Sequence, residues 1–106
     1  MISHKEVEEY ILSMPNARLD YPFSENTAVY KVGDKMFALI SEGHEPVQLS
    51  LKCDPLLAET LRQKYESVMP GYHLNKKHWN TIVLTGQLSW SEIQDLIRHS
   101  YILVTS

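Results

Sequence analysis

One short stretch of the chain, residues 70–79 with the sequence PGYHLNKKHW, gathers cations, aromatic rings and an amide in a protein of net charge −3. Ammonium groups neutralise phosphates, which makes Lys76 and Lys77 candidate phosphate contacts. Asn75 could bond a base edge or a sugar, and base contacts give specificity where phosphate contacts give position. These residue types in one turn-rich stretch predict a surface for nucleic acid.

The aromatic side chains of this stretch have two interpretations. Tyr72, His73 and Trp79 could stack on bases or contact a groove of the nucleic acid. Alternatively, Trp79 opens a β-rich run and could anchor the core, while His73 and Asn75 bond the loop's own backbone groups, which need partners. Both interpretations stay open for these side chains. A pair of adjacent lysines, by contrast, is rarely needed to hold a loop together.

Three isolated lysines are further candidates. Lys31 and Lys35 flank Gly33-Asp34, a two-residue hairpin turn signal, so both are expected near a hairpin tip that could lie against a phosphate backbone. Lys52 lies on the polar side of a predicted strand. The alternative for these lysines is an ordinary solvated sheet face.

Metal binding and nucleophilic catalysis are weakly indicated. His73 and His78 are five residues apart, unlike the i, i+4 pair of a helical zinc site, and no acidic residue lies between 67 and 91. Cys53 precedes a predicted helix start, where a thiol pKa can fall, but a small buried side chain also suits that place. Because no base, nucleophile and orienting group come together, we expect no enzyme, no metal and no cofactor.

Composition sets the class of protein. The 106 residues are 43% hydrophobic and 22% charged, which predicts one folded domain over residues 1–106. No apolar run approaches the roughly 20 residues that span a bilayer. The polar, acidic beginning MISHKEVEEY is unlike a signal peptide, and a single cysteine fits a reducing compartment. We therefore expect a cytoplasmic protein without a membrane partner.

Hydrophobic periodicity predicts helices and antiparallel strands in succession. The predicted elements are a helix over 4–13 after a Ser3–Glu6 capping box, strands over 27–32, 35–41 and 47–52, a helix from Asp54-Pro55, a strand over 79–85 and a helix after a Ser89–Glu92 capping box. A meander with helices outside it indicates an α+β two-layer sandwich with one antiparallel sheet. Neither a parallel βαβ alternation nor a glycine-rich phosphate loop is present.

Several segments resemble the MmcQ/YjbR family, in that family's order and spacing, over nearly the whole chain. They are YPF (21–23), VYKVGDKMFAL (29–39), LSLKCDP (49–55), PGYHLNKKHWNT (70–81) and SY (100–101). The segment 70–81 is the most specific of these. The resemblance implies a small bacterial domain with the order α-β-β-β-α-β-β-α and a fold related to CyaY, which is frataxin-like, and to secretion-chaperone-like proteins.

Members of that family are usually described as DNA-binding because of a double-wing shape with two projecting loops. From the clustered charge together with this resemblance, we expect a monomer that binds DNA with modest affinity, in which a hairpin tip and a basic loop straddle the DNA backbone. The expected contacts are Lys31, Lys35, Lys52, His73, Asn75, Lys76, Lys77 and Trp79. The alternative is a non-enzymatic domain that binds a protein or a small anion, and a weaker one is iron handling by Glu6, Glu8 and Glu9.

Overall fold

The computed structural model describes residues 2–106, and within them three helices cover one face of a six-stranded sheet. The elements are α1 (His4–Leu12), β1 (Ala17–Asp20), β2 (Thr27–Val32), β3 (Lys35–Ser41), β4 (Gln48–Lys52), α2 (Pro55–Lys64), β5 (Val68–Pro70), β6 (Trp79–Val83) and α3 (Trp90–Thr105). Neighbouring strands are antiparallel in the order β1-β2-β3-β4-β6-β5. The predicted α+β two-layer sandwich is confirmed.

Two details of the strands differ from the prediction. β1 was not predicted, because its four residues ARLD contain no β-branched side chain and pair only with β2 at the sheet edge. The strand predicted over 79–85 ends at Val83. There the chain turns, with Thr85 donating its N–H back to the carbonyl of Val83 at 2.8 Å and Gly86 adopting φ +97°.

The predicted helix starts are confirmed by their caps. The Ser3 hydroxyl accepts from the N–H of Glu6 at 3.1 Å, and the Glu6 carboxylate accepts from the N–H of Ser3 at 3.3 Å. Ser89 and Glu92 make the same reciprocal pair at 3.1 and 3.0 Å. Asp54 accepts two N–H groups from the first turn of α2. Each cap satisfies backbone donors that a helix start leaves without partners.

The main core lies between the sheet and the helices. Its large, fully buried side chains include Val7, Ile11, Tyr30, Phe37, Ile40, Leu49, Ile82, Ile93 and Ile97. Phe37 is an extra residue in β3, since the register with β2 shifts between Tyr30 and Lys31. The shift lets Phe37 and Ala38 both enter the core, and the Phe37 ring meets Tyr101 edge-on at 5.4 Å.

A buried amide joins α2 to β6. Asn80 is 2% exposed, donates to the carbonyl of Ala58 at 3.2 Å and accepts from Nε of Arg62 at 2.6 Å. The same guanidinium donates to the carbonyl of Trp79 at 3.1 Å and to that of Lys76. These bonds fix the end of the loop that precedes β6 against the helical layer.

Cys53 is a buried side chain at the end of β4. It is 4% exposed, and burial raises the pKa of its thiol to about 11, helped by the neighbouring Asp54 carboxylate and opposed by Arg62. The helix start that could have lowered this pKa is outweighed by desolvation. At neutral pH Cys53 is therefore a protonated, inert thiol.

Replacing Asn80 by alanine should lower the free energy of unfolding by about 1–3 kcal/mol, because the carbonyl of Ala58 and the guanidinium of Arg62 lose a buried partner. Urea unfolding followed by circular dichroism measures this change. Asn26→Ala, at an exposed position, is the matched control and should change the stability by less than about 0.5 kcal/mol. Equal stabilities of the two variants would contradict the structural role of Asn80.

The folded protein should react with a disulfide-exchange reagent at about pH 8 on the order of a hundredfold more slowly than the urea-unfolded chain, because little Cys53 thiolate forms and the thiol is covered. The absorbance of the coloured thiol that the reagent releases on reaction gives the rate for the folded and for the unfolded chain. Comparable rates in the two states would show that Cys53 is accessible.

Candidate functional site

The face of the sheet opposite the helices, called the open face, carries a second, smaller apolar cluster. Val29, Leu39 and Trp79 are buried in it, with Met36 and Leu74 packed against them. Side chains alternate between the two faces along a strand, so residues two positions away from Val29 and Trp79 on β2 and β6 also belong to the open face. On β3 the extra residue Phe37 interrupts this alternation, and both Met36 and Leu39 lie on the open face.

Three basic residues lie along one end of the open face, two of them on the neighbouring strands β1 and β2 and the third on β4, beyond Met36 of β3. Arg18 is paired with Lys31 in the β1–β2 register, Lys31 with Met36 in β2–β3, and Lys52 with Trp79 in β4–β6. β3 begins and β4 ends at this same end, because the two strands are antiparallel. Arg18, Lys31 and Lys52 are called the cation row. Its member Arg18 was not predicted, because it lies on the unpredicted β1.

The hairpin contributes differently from the prediction. The tip is Gly33, with φ +60°, whose carbonyl accepts from the Arg18 guanidinium at 2.9 Å, and Lys35 is exposed beside it. Lys31 lies near the tip, one residue pair before the turn, opposite Met36. Its ammonium lies 3.4 Å from the carboxylate of Asp20, and its side chain is only 17% exposed. The pKa of Asp20 is lowered by the backbone N–H of the next residue and by Lys31.

The loop over residues 71–78 uses two of its predicted contact residues internally. The Asn75 side chain accepts from the N–H of Lys77 at 2.9 Å, and Nζ of Lys76 donates to the carbonyl of Gly71 at 3.4 Å. Both interactions stabilise the loop itself. All three residues are exposed, but the side chains of Asn75 and Lys76 bond the loop, so Lys77 is the side chain most available to a ligand.

The aromatic residues of this loop divide between core and surface. Trp79 is 7% exposed, so the stacking role considered for it is corrected to that of an anchor of the open-face cluster. Tyr72 is 70% exposed and its ring lies 4.0 Å from that of His73, which adopts φ +57°. Tyr72 and His73 thus present aromatic surface to solvent.

Folding brings the separated lysines to one end of the molecule. The N–H of Cys53 donates to the carbonyl of His78 at 2.8 Å, which holds the end of the loop beside Lys52. Lys35, Lys52 and Lys77 make no ion pair within residues 2–106. Their positive charge is therefore not neutralised by a direct carboxylate contact in the described chain.

A groove of about 550 Å³ lies next to the cation row on the open face. Its floor is formed by Leu39, Ser41, Gln48, Ser50 and Thr81. One wall comes from residues 23–27 and 42–44, and the other from residues 72–74. It is called the open-face groove. Its first wall was not predicted from the sequence, although the family-like segment 21–23 lies beside it.

The groove is polar and aromatic, and its lining contains no lysine or arginine. The hydroxyls of Ser50 and Thr81 lie 2.8 Å apart, and Thr81 also accepts from the N–H of Tyr72 at 3.1 Å, which anchors that wall to the floor. Glu42 is the acidic member of the lining, and its carboxylate accepts from the Tyr21 hydroxyl at 3.0 Å. The groove thus offers hydrogen bonds and ring faces.

Two of the three acidic residues considered for iron, Glu6 and Glu8, have other partners. Glu6 caps α1, and Glu8 accepts from the buried hydroxyl of Tyr30. Within residues 2–106, no group of three or more His, Cys, Asp or Glu side chains is placed to hold a metal ion. Over the same residues, every helix is too short or too polar to cross a bilayer.

A family model and several known proteins match this chain over most of its length. The family model described as YjbR matches residues 12–103. The uncharacterized protein YbdF of Escherichia coli O157:H7 is 37% identical over 95% of this chain and 83% of its own length. The uncharacterized protein YyaQ of Bacillus subtilis is 30% identical over 95% of this chain and 97% of its own length.

Solved structures agree with this relationship. A crystal structure of the Deinococcus radiodurans protein DR2400, with a DUF419 domain, has a TM-score of 0.94 and 40% identity and covers all of this chain and 80% of its own. A crystal structure of a Pseudomonas syringae protein has a TM-score of 0.82 and 30% identity over 96% of this chain and 98% of its own. This chain belongs to the YjbR family.

Proposed function

We propose that this protein binds DNA through the cations at one end of its open face. The observation that supports the proposal is the strand register, which sets Arg18 beside Lys31 and places Lys52 at the same end of the same face, on the far side of β3. Lys77 joins them because the loop end is bonded to the end of β4. Ammonium and guanidinium groups on one face can contact successive phosphates of a backbone.

In this proposal, two projections that flank the surface act as the two wings. One is the hairpin between β2 and β3, with Lys35 exposed at its tip. The other is the loop over 71–78, with Lys77 exposed. In the proposal the two straddle a phosphate backbone, and Lys52 contacts it between them.

The affinity should be modest. Asp20 already pairs with Lys31, Lys76 bonds its own loop, and the whole chain carries a net charge of −3. About four cations then remain for phosphates, which gives a logarithmic salt slope of roughly 3 to 4. Such a protein would depend on short-range contacts more than on long-range attraction.

The rival role, binding of a small anion or a protein by a non-enzymatic domain, receives less support. The polar sheet face and the aromatic loop do form a cleft, but its lining brings Glu42 and no lysine or arginine to a bound anion. We propose a cytoplasmic, monomeric binding protein without catalytic activity. The inert Cys53 agrees with that proposal.

Replacing Lys52 and Lys77 by glutamine should weaken DNA binding and reduce the salt slope by about two units, one for each ammonium group that no longer neutralises a phosphate. Fluorescence anisotropy of a labelled oligonucleotide at several salt concentrations gives both values. Lys5→Gln with Lys64→Gln is the matched control, since it removes the same charge from α1 and α2 on the other side of the sheet. Equal reductions of affinity in the two double variants would show that the open face is not the DNA-binding surface.

Asp20→Asn should strengthen binding up to roughly fivefold and steepen the salt slope by about one unit, because it frees the ammonium of Lys31 for a phosphate. The same salt titration measures this. Asp95→Asn is the control. It frees the cation Arg98 on α3, on the helical side of the sheet, and should leave the salt slope unchanged. A steeper slope in the Asp95 variant alone would place the DNA on the helical side.

A further inference from the structure

We infer that the open-face groove receives an unpaired base of single-stranded DNA while the neighbouring phosphates lie on the cation row. The inference rests on the proposed function, because it names the form of nucleic acid that the same face selects. It is carried by the position of the groove, its aromatic walls and the charges of its lining.

The groove and the cation row form one continuous surface. Ser50 on the groove floor and Lys52 lie two residues apart on β4, roughly 7 Å along the same face. The loop over 71–78 likewise runs from the groove to a cation: Tyr72 lines the groove, and Lys77 follows it near the end of β4. A base in the groove would therefore have its backbone phosphates within reach of cations.

The two walls carry exposed aromatic rings. Phe23 on one wall is 65% exposed and Tyr72 on the other is 70% exposed. Large apolar rings left this open on a surface mark interaction sites when they border a cleft. Stacking on such rings accepts any base, because every base has a π face. The groove volume of about 550 Å³ also falls within the range of small-ligand sites, roughly 300–1,000 Å³.

The charges of the lining favour a base over a phosphate. The carboxylate of Glu42 repels a phosphate, whereas it accepts hydrogen bonds from exocyclic amino groups of bases. Gln48 and Asn26 add amides that both donate and accept. The lining contains no lysine or arginine, so phosphates find those cations beside the groove and not inside it.

The walls also select single strands. A base inside a duplex is covered on both faces by its neighbours and bonded along its pairing edge, so it reaches a walled groove only after unstacking and unpairing. A base in a single strand does not need to break such pairing. The groove should therefore prefer single-stranded over duplex DNA.

Three labelled probes of equal length test the inference by fluorescence anisotropy. They are a single-stranded oligomer of about twelve nucleotides, the corresponding duplex, and an oligomer with the same backbone in which the bases are replaced by hydrogen. The single strand should bind most tightly. Phe23→Ala and Tyr72→Ala should each weaken its binding roughly tenfold and leave the base-free probe unaffected.

Leu56→Ala is the matched control, since Leu56 is 77% exposed on α2 and removing it deletes a similar exposed apolar side chain outside the groove. It should leave the binding of all three probes unchanged. A 2-aminopurine base within the single strand should lose fluorescence on binding, because stacking quenches it, and should lose less with Tyr72→Ala. The Leu56→Ala control and the 2-aminopurine fluorescence together distinguish the loss of a stacking contact from a loss of protein stability.

The possible results separate the two proposals. If the base-free probe or the duplex binds as tightly as the single strand, and the aromatic variants match the wild-type protein, the groove does not take a base, although the cation row still binds DNA. If none of the three probes binds at low salt, the proposed function itself fails, and the inference fails with it.

Discussion

The open face depends on one guanidinium. Arg62 of α2 bonds the Asn80 side chain and donates to the carbonyls of Trp79 and Lys76, so it ties the helical layer to the loop that ends at β6. Without these bonds, the Lys76 carbonyl and the Oδ1 atom of the buried Asn80 would lose the guanidinium as their partner, and the Trp79 carbonyl would keep only the N–H of Gly71. The bonds pass from the covered side of the sheet to the loop on the open face. Helix α2, which does not line the groove, therefore sets the position of the groove wall formed by residues 72–74.

Close packing makes the same wall rigid. Gly71 approaches Trp79 so closely that an added Cβ would lie 2.7 Å from the Cβ of Trp79, and its N–H donates to the Trp79 carbonyl at 2.9 Å. The opposite wall is held by the N–H of Glu42, which donates to the carbonyl of Asn26 at 2.8 Å. Both walls are thus fixed by backbone contacts. A preformed cleft loses less conformational entropy when a ligand binds.

The sequence predicted what local periodicity determines and missed what depends on contacts between distant segments. β2 and β3 are predicted to the residue, because their β-branched and aromatic runs flank a hairpin turn. The ion pair of Lys31 with Asp20 was not predictable, since it needs β1, a strand without a propensity signal. Trp79 stayed ambiguous because only the register places it in the apolar cluster of the open face.

The acidic net charge of the chain is compatible with the proposed binding of nucleic acid by a few local cations. Long-range repulsion from a chain of charge −3 disfavours indiscriminate adsorption to a polyanion. The few cations at one end of the open face act only at short range, since salt screens charges over about 8–10 Å. Their attraction alone is then too weak to retain a strand. In the proposed function, contacts that need no charge, such as those the exposed Tyr72 and Phe23 rings offer, would then decide which nucleic acid stays bound.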